Sequence, residues 1–390
     1  MTLGRIPGIW AWRKATRSLE RSLTNRSTSL YPAALRLANG NLLPRSRSRA
    51  AALAPNRQVT RNDVAALARV VPSTVSYVIN NGPRSVSVEA RERVLKAIAT
   101  LGYHPSDVAR SLRTRRTKTI GLVIPDITNP YYGEMTQAIE EVSFQRGYTV
   151  ILGHSSHLPE RELRYSQVLR SKQVDGVILL PETTDLEPVH FLQRAGIQVV
   201  ILERIVTGYP CIIADEHHAG YLATRHLLEL GHRGIGCIVL AGDSTSSVAR
   251  EEGYRLALQE AGVSPQKNWI LESESGYIAG DTVARCFLKL PERPTAVIAH
   301  NDLIAIGAMK AFSEAGLKVP GDISVIGFDD IAAASYVQPA LTTIAYPKRQ
   351  MGRAAAEMLI NLVESGEIGF AGQQKLPVHL AVRGSAARPV

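Results

Sequence analysis

From Thr119 onward, short apolar runs alternate with longer amphipathic stretches, and this rhythm constrains the fold more than any other feature. The runs are TIGLVIP, TVILG, GVILLP, QVVIL, CIIAD, IGCIVLAG, WILES, TAVIAH and ISVIGF. Strand-length apolar segments separated by helical ones are the signature of βαβ units and a parallel doubly wound sheet. The block of about 270 residues exceeds a comfortable single core, so two α/β lobes are expected. Open α/β sheets bind ligands beyond the carboxyl ends of their strands. The polar residues just after each run are therefore the candidate site: Asp126, Asn129, Tyr131 and Tyr132; Glu203 and Arg204; Asp215; Ser244, Ser246 and Arg250; Asn301 and Asp302; Asp329 and Asp330. The last pair reads as a loop and lobe-interface feature rather than a ligand contact.

Charge divides the chain into three blocks. Residues 1–57 carry eleven Lys/Arg against one acidic residue, and residues 58–118 carry eleven against four. The remainder is net acidic, with 23 basic and 30 acidic residues. Residues 1–57 show no apolar period and no secretory signal, and read as a basic, disordered extension. Only the middle block joins its charge to a foldable pattern. A first helix is expected over Asp63–Arg69, with Val64, Leu67 and Ala68 inward. A second starts at Pro72, with Val75, Val78 and Ile79 inward. Ser73, Thr74, Tyr77 and Asn80 are left facing out. Two short helices with a tight break make a helix-turn-helix, whose second helix suits the major groove. A third helix is expected over Glu89–Leu101, capped by Ser87 and stopped at Gly102.

The segments DVAALARVVPSTVSYVIN and VSVEARERVLKAIATLGYHPSDVARSLRTRRTKTIGLVIPDITNPYY, in this order, resemble the LacI/GalR family of bacterial regulators. The resemblance spans about residues 59–385. It implies a helix-turn-helix domain over 58–104, a hinge helix and linker over 105–118, and a periplasmic-binding-protein-like core over 119–390. The chain would cross three times between lobe one (119–215 and 321–348) and lobe two (216–320 and 349–385). Pro72, Ser73 and Tyr77 match positions that read base edges. Thr74, Ser76 and Asn80 match phosphate contacts and caps. Leu112 matches an apolar wedge in the minor groove, with Ala109 beside it and Arg113 near phosphates. Leu112 also reads as an ordinary linker leucine, and Tyr77 as a partly buried aromatic. Matching effector positions are Tyr131, Asn129, Glu203, Asp215, Ser244, Ser246, Arg250 and Asp302. Asp302 and Arg250 would together hold vicinal hydroxyls. The bland alternative for Arg250 is an ion pair with Glu251 or Glu252. In two places the chain departs from the family pattern. Arg69 stands where glycine is usual in the turn, and Val71 where serine usually caps the recognition helix.

The expected function is thus a dimeric, cytoplasmic DNA-binding regulator, a repressor controlled by a sugar-like effector and bound to a pseudo-palindromic operator. A periplasmic-type solute-binding protein is the alternative, but no signal peptide is present and a helix-turn-helix is. An enzyme is not expected: no GxxxxGK[ST], no GxSxG and no linked Ser/His/Asp order is visible. Cys211, Cys237 and Cys286 have no metal spacing and read as buried free thiols, so no metal or other cofactor is expected.

Overall fold

The computed structural model describes residues 59–80, 84–104, 116–181, 185–242, 244–366 and 372–390. The chain forms two compact units, Met1–Tyr103 and His104–Val390. Among the described residues no helix is long and apolar enough to cross a membrane.

Among the described residues the first unit holds three helices: α1 (Arg61–Ala68), α2 (Pro72–Asn80) and α3 (Val88–Leu101). A capping box starts α1: Thr60 Oγ1 accepts from Asp63 N, and Thr60 N donates to Asp63 Oδ2 at 2.8 Å. The chain leaves α1 through Arg69 in the left-handed region, φ 52°. Ser87 caps α3 and Gly102 ends it. Val64, Ala65, Ala68, Val75, Val78, Val94 and Ala97 form the core. Leu67, expected inward, is exposed. On a 3.6-residue helix it lies about 60° from Val64, on the side away from Ala65, so one stripe cannot bury all three. Arg93 Nε closes the bundle by donating to Ala68 O at 3.1 Å.

Among the described residues the second unit contains two six-stranded sheets. Lobe one runs β1 (Thr119–Ile124), α4 (Pro130–Gln145), β2 (Thr149–His154), α5 (Pro159–Ser171), β3 (Gly176–Leu179), α6 (Glu187–Arg194), β4 (Gln198–Leu202) and β5 (Cys211–Ala214). Lobe two runs α7 (Glu216–Glu229), β6 (Ile235–Leu240), α8 (Thr245–Glu260), β7 (Ile270–Ser273), α9 (Tyr277–Phe287), β8 (Ala296–Ala299), α10 (Asp302–Glu314), β9 (Ser324–Asp329), α11 (Ala332–Tyr336) and β10 (Thr342–Ala345). The chain then returns to lobe one as α12 (Lys348–Ser365) and β11 (Gln373–Leu376), and ends in lobe two with β12 (His379–Ala381). The sheet orders are β2-β1-β3-β4-β5-β11 and β7-β6-β8-β9-β10-β12, so both lobes share one winding. All pairings are parallel except β10 with β12.

The nine expected strands all form, but the expected lobe boundaries need correction. Residues 321–348 do not join lobe one: β9 pairs with β8, Ala296 opposite Ser324, and β10 pairs with β9. A short βαβ crossover sets successive strands side by side, which keeps β9 with its predecessor. Conversely α12 packs on α4, β3, β4 and β5, and β11 pairs with β5. Three further strands, β10 to β12, give no strand signal in the sequence: they are three or four residues long, and β11 is mostly polar. Cys211 and Cys237 are buried, whereas Cys286 is exposed, against expectation. It sits one residue before the buried Phe287 and falls on the outer face of α9.

Candidate effector site

In each lobe the strand order reverses beside the lobe's first strand, between β1 and β3 and between β6 and β8, which is where an open α/β sheet forms a crevice. The loops leaving β1, β6 and β8 carry most of the expected site residues. Many of them cap the following helix. Asn129 Oδ1 accepts from Tyr131 N at 3.0 Å, Asp215 Oδ1 from His218 N at 3.0 Å, and Asn301 Oδ1 from Ile304 N at 2.9 Å. Ser244 Oγ accepts from Ser247 N and lies 3.0 Å from Ser246 Oγ. Asp126 Oδ1 accepts from both the backbone and the hydroxyl of Thr128.

The centre of the site is a buried cluster drawn from both lobes. Arg250 lies in α8 with its side chain 11% exposed. Its Nε donates to Glu216 Oε2 at 2.7 Å and its Nη1 to His300 O at 2.5 Å. The guanidinium stands over the ring of Phe328 at 4.7 Å and that of Tyr346 at 5.4 Å. Tyr346 also donates its hydroxyl proton to Glu216 Oε2 at 2.7 Å. Tyr131 from lobe one meets the Tyr346 ring edge-on, with centroids 5.8 Å apart. Asn129 Nδ2, also from lobe one, donates to Asp329 Oδ2 at 3.3 Å. Asp329 adopts φ 107°, a strained conformation for a non-glycine residue. Lys348 holds its carbonyl and that of Asp330, at 2.8 and 2.6 Å.

These contacts shape the charges. Burial pushes the Asp329 carboxyl up to about 7, although Arg250, Asn129 and Lys348 oppose it. Burial and the nearby Asp329 hold Asp302 well above the carboxylate range, against the Thr343 and Ile331 hydrogen bonds. Burial, Arg250 and His157 keep His300 well below its ordinary value, so it is neutral near pH 7. Burial alone would lower Arg250; the charges of Glu216, Tyr346 and Asp329 more than reverse this. The Tyr131 hydroxyl is raised by burial and then by Glu203, Glu216 and Asp329.

The structure therefore separates the expected residues. Tyr131, Asn129 and Arg250 converge, and Glu203 lies close enough to perturb Tyr131. Arg250 pairs with Glu216, not with Glu251 or Glu252, because its side chain points across to the start of α7 rather than along its own helix. Asp215 is held by two partners of its own: Oδ1 caps α7 and Oδ2 pairs with Lys375 of β11 at 2.5 Å. Asp302 does not form the expected open fork with Arg250. It is fully buried, accepting from Ile331 N at 2.9 Å and Thr343 Oγ1 at 2.6 Å, and so ties α10 to the β9–β10 edge. Asp329 joins the two lobes through Asn129, and Asp330 pairs with Arg383 at 2.6 Å. Arg204 is half-buried and lies close enough to Glu162 to feel its charge.

Sequence reasoning missed Glu216, His300, Phe328 and Tyr346. Glu216 follows a predicted strand end by one cap residue, and His300 and Phe328 lie within predicted runs, so all three were discoverable. Tyr346 follows β10, which gave no sequence signal.

In the first unit, Ser73 and Asn80 are exposed on α2, and Pro72, Thr74, Ser76 and Tyr77 are half-buried. Ser76 accepts from Arg61 Nη1 at 2.9 Å, and Asn80 Nδ2 donates to Ser76 O at 2.8 Å. The expected hinge helix, with Ala109, Leu112 and Arg113, lies outside the described residues. The linker end that is described is anchored on lobe one. Thr117 N and Lys118 N donate to the Asp175 carboxylate at 2.7 and 2.9 Å, and Arg116 Nη2 to the Val363 and Glu364 carbonyls at the end of α12.

Comparison with known proteins agrees with this geometry. Residues 117–375 match the periplasmic binding proteins and sugar binding domain of the LacI family, and residues 60–106 match the bacterial regulatory proteins of the lacI family. The HTH-type transcriptional repressor PurR of Photobacterium profundum is 37% identical over 313 residues, 78% of this chain and 92% of the relative. The ribose operon repressor of Haemophilus influenzae is 38% identical over 310 residues, with the same coverage. Among solved structures, the Lac repressor dimer bound to operator and the anti-inducer ONPF superposes with a TM-score of 0.76 at 29% identity, covering 85% of this chain and 100% of that one. The complex of the transcriptional regulator CelR with cellobiose gives 0.63 at 31% identity, covering 84% and 100%. On these matches, which take in both the helix-turn-helix and the two-lobed core, the chain belongs to the LacI family of bacterial transcriptional regulators.

Proposed function

We propose that this protein is a dimeric repressor that binds a pseudo-palindromic operator and is controlled by an uncharged, sugar-like effector held between its lobes. The observation that carries the reading is the buried cluster of Arg250, Glu216, Tyr346, Tyr131, Asn129 and Asp329. It joins both lobes through polar groups that match the hydroxyls of a polyol, and an aromatic face such as Tyr131 packs on a sugar ring. Ser244 and Ser246 add hydroxyls at the start of α8. In the DNA-binding unit, Pro72, Ser73 and Tyr77 of α2 read base edges, and Thr74, Ser76 and Asn80 serve phosphates and caps. Leu112 wedges between base steps, with Ala109 beside it and Arg113 on the backbone. The protein acts in the cytoplasm on nucleoid DNA.

Effector binding changes how the lobes meet at Asn129 and Asp329. The anchored linker beginning at Arg116 carries that change towards the operator. Coupling of this kind is typically about 1–3 kcal/mol and is reciprocal, so DNA must alter effector affinity by the same factor. The test is fluorescence anisotropy of the full chain on a selected pseudo-palindromic DNA, across a salt series and a panel of neutral sugars. Tight, salt-steep binding that one sugar alters supports the reading. Leu112→Ala is expected to weaken specific operator binding and leave sugar binding intact. Failure to select any DNA would overturn the proposal.

A further inference from the structure

We propose that Glu216 sets the charge class of the effector: by pairing with Arg250 it makes the guanidinium a charge-compensated donor, and so selects uncharged polyhydroxyl ligands against phosphate- or carboxylate-bearing ones. This rests on reading the inter-lobe cluster as the effector site.

An arginine buried in a cleft is ordinarily an anion receptor, because its planar fork fits phosphate and carboxylate with two parallel hydrogen bonds. Here that capacity is already spent. Nε is committed to Glu216 and Nη1 to the His300 carbonyl. The guanidinium also lies 4.7 Å from the Phe328 ring and 5.4 Å from that of Tyr346. Nη2 donates to none of the described residues, which leaves one edge to give hydrogen bonds without net positive charge. Glu216 is itself fixed, since the oxygen that accepts from Arg250 also accepts from the Tyr346 hydroxyl.

The remaining groups do not restore a positive field. Glu203, Glu216 and Asp329 all bear on Tyr131 at the cleft. Lys348 is occupied by two carbonyls and by Glu134 at 3.1 Å. His300 lies beside Arg250 and contributes its carbonyl, an acceptor. An anionic ligand would have to shed its water beside acidic groups, with both cations of the cluster, Arg250 and Lys348, already paired. Built-in repulsion of that kind is how a site rejects a close chemical relative of its ligand. The adjacent acidic residues thus divide the work, with Asp215 capping the helix and Glu216 setting the charge of the cleft.

The test uses the full chain and calorimetric titration with paired probes, namely ribose and ribose 5-phosphate, glucose and glucose 6-phosphate, and inorganic sulfate. The parent is expected to bind the neutral member of a responsive pair at least about tenfold more tightly than its ester, and not to bind sulfate. Glu216→Gln keeps the size and removes the charge. It is expected to narrow or reverse the preference by about tenfold and to gain sulfate binding. An ester binding the parent as well as its neutral partner, or sulfate binding the parent, overturns the inference. So does a folded Glu216→Gln protein that still rejects sulfate. If no sugar binds the parent, the effector reading fails, while the sulfate titrations still decide the role of Glu216. If Glu216→Gln does not fold, the parent's response to sulfate and to the pairs decides it alone.

Discussion

At the scale of single residues, the helix-turn-helix departs most from its family pattern at Arg69 and Val71. Arg69 sits at φ 52°, where a side chain costs about 1–2 kcal/mol. Glycine removes that strain but adds about 0.5–1 kcal/mol of backbone entropy to lose on folding. Arg69→Gly is therefore expected to stabilise the first unit by at most about 1.5 kcal/mol. Val71 precedes α2 and offers no side-chain acceptor, and Val71→Ser is expected to add about 1 kcal/mol. Amide exchange of residues 61–101 measures both, and unchanged protection in the double variant would count against the account. The left-handed turn was legible in the sequence from the resemblance alone. The burial of Asp302 was not, because nothing in a strand-end aspartate tells whether its partners will be solvent, ligand, or the hydroxyl of Thr343.

At the scale of elements, the helix pair that carries the site is packed through glycine. A Cβ on Gly220 of α7 would fall 2.1 Å from Arg250 O, and one on Gly253 of α8 would fall 2.0 Å from His217 O. The two backbones touch directly, and this contact brings Glu216 at the start of α7 beside Arg250. Gly280 and Gly307 make the same reciprocal contact between α9 and α10. Gly220→Ala must force α7 and α8 apart. It is expected to destabilise the second unit by about 1–3 kcal/mol and to weaken effector binding, since the displaced atom belongs to Arg250. Denaturant unfolding together with sugar titration checks this; lost stability with unchanged affinity would separate the packing from the site. The alternating runs made the strands and their helices legible. They carried no information on which helix pairs would close to backbone contact, because that depends on residues brought together from distant segments.

At the scale of the whole second unit, buried titratable groups give two opposite pH signatures. His232 is buried between Thr295, Ser324 and the Ala387 carbonyl, and burial, the larger effect, lowers its affinity for a proton. The unfolded chain takes up that proton first, so this contribution to stability is lost as pH falls below about 6.5. Asp329 is raised to about 7, so its contribution is present at low pH and lost as pH rises through 7. Relative to His232→Gln the parent is expected to lose stability from pH 7 to 5; relative to Asp329→Asn it is expected to gain over the same range. Parallel unfolding curves at pH 5, 6, 7 and 8 test both signs, and flat differences would contradict them. By itself the sequence determined the helix-turn-helix, nine parallel strands, two lobes and the crevice at their carboxyl ends, because hydrophobic period and capping are local properties. The tertiary structure alone decided which lobe receives β9, β10, α12 and β11. It also decided that Asp215 pairs with Lys375 and Asp302 with Thr343, while Glu216 and Tyr346 join the cluster around Arg250. Those outcomes rest on strand pairing and on the competition of buried polar groups for partners far away in the chain, and neither is written in any single segment.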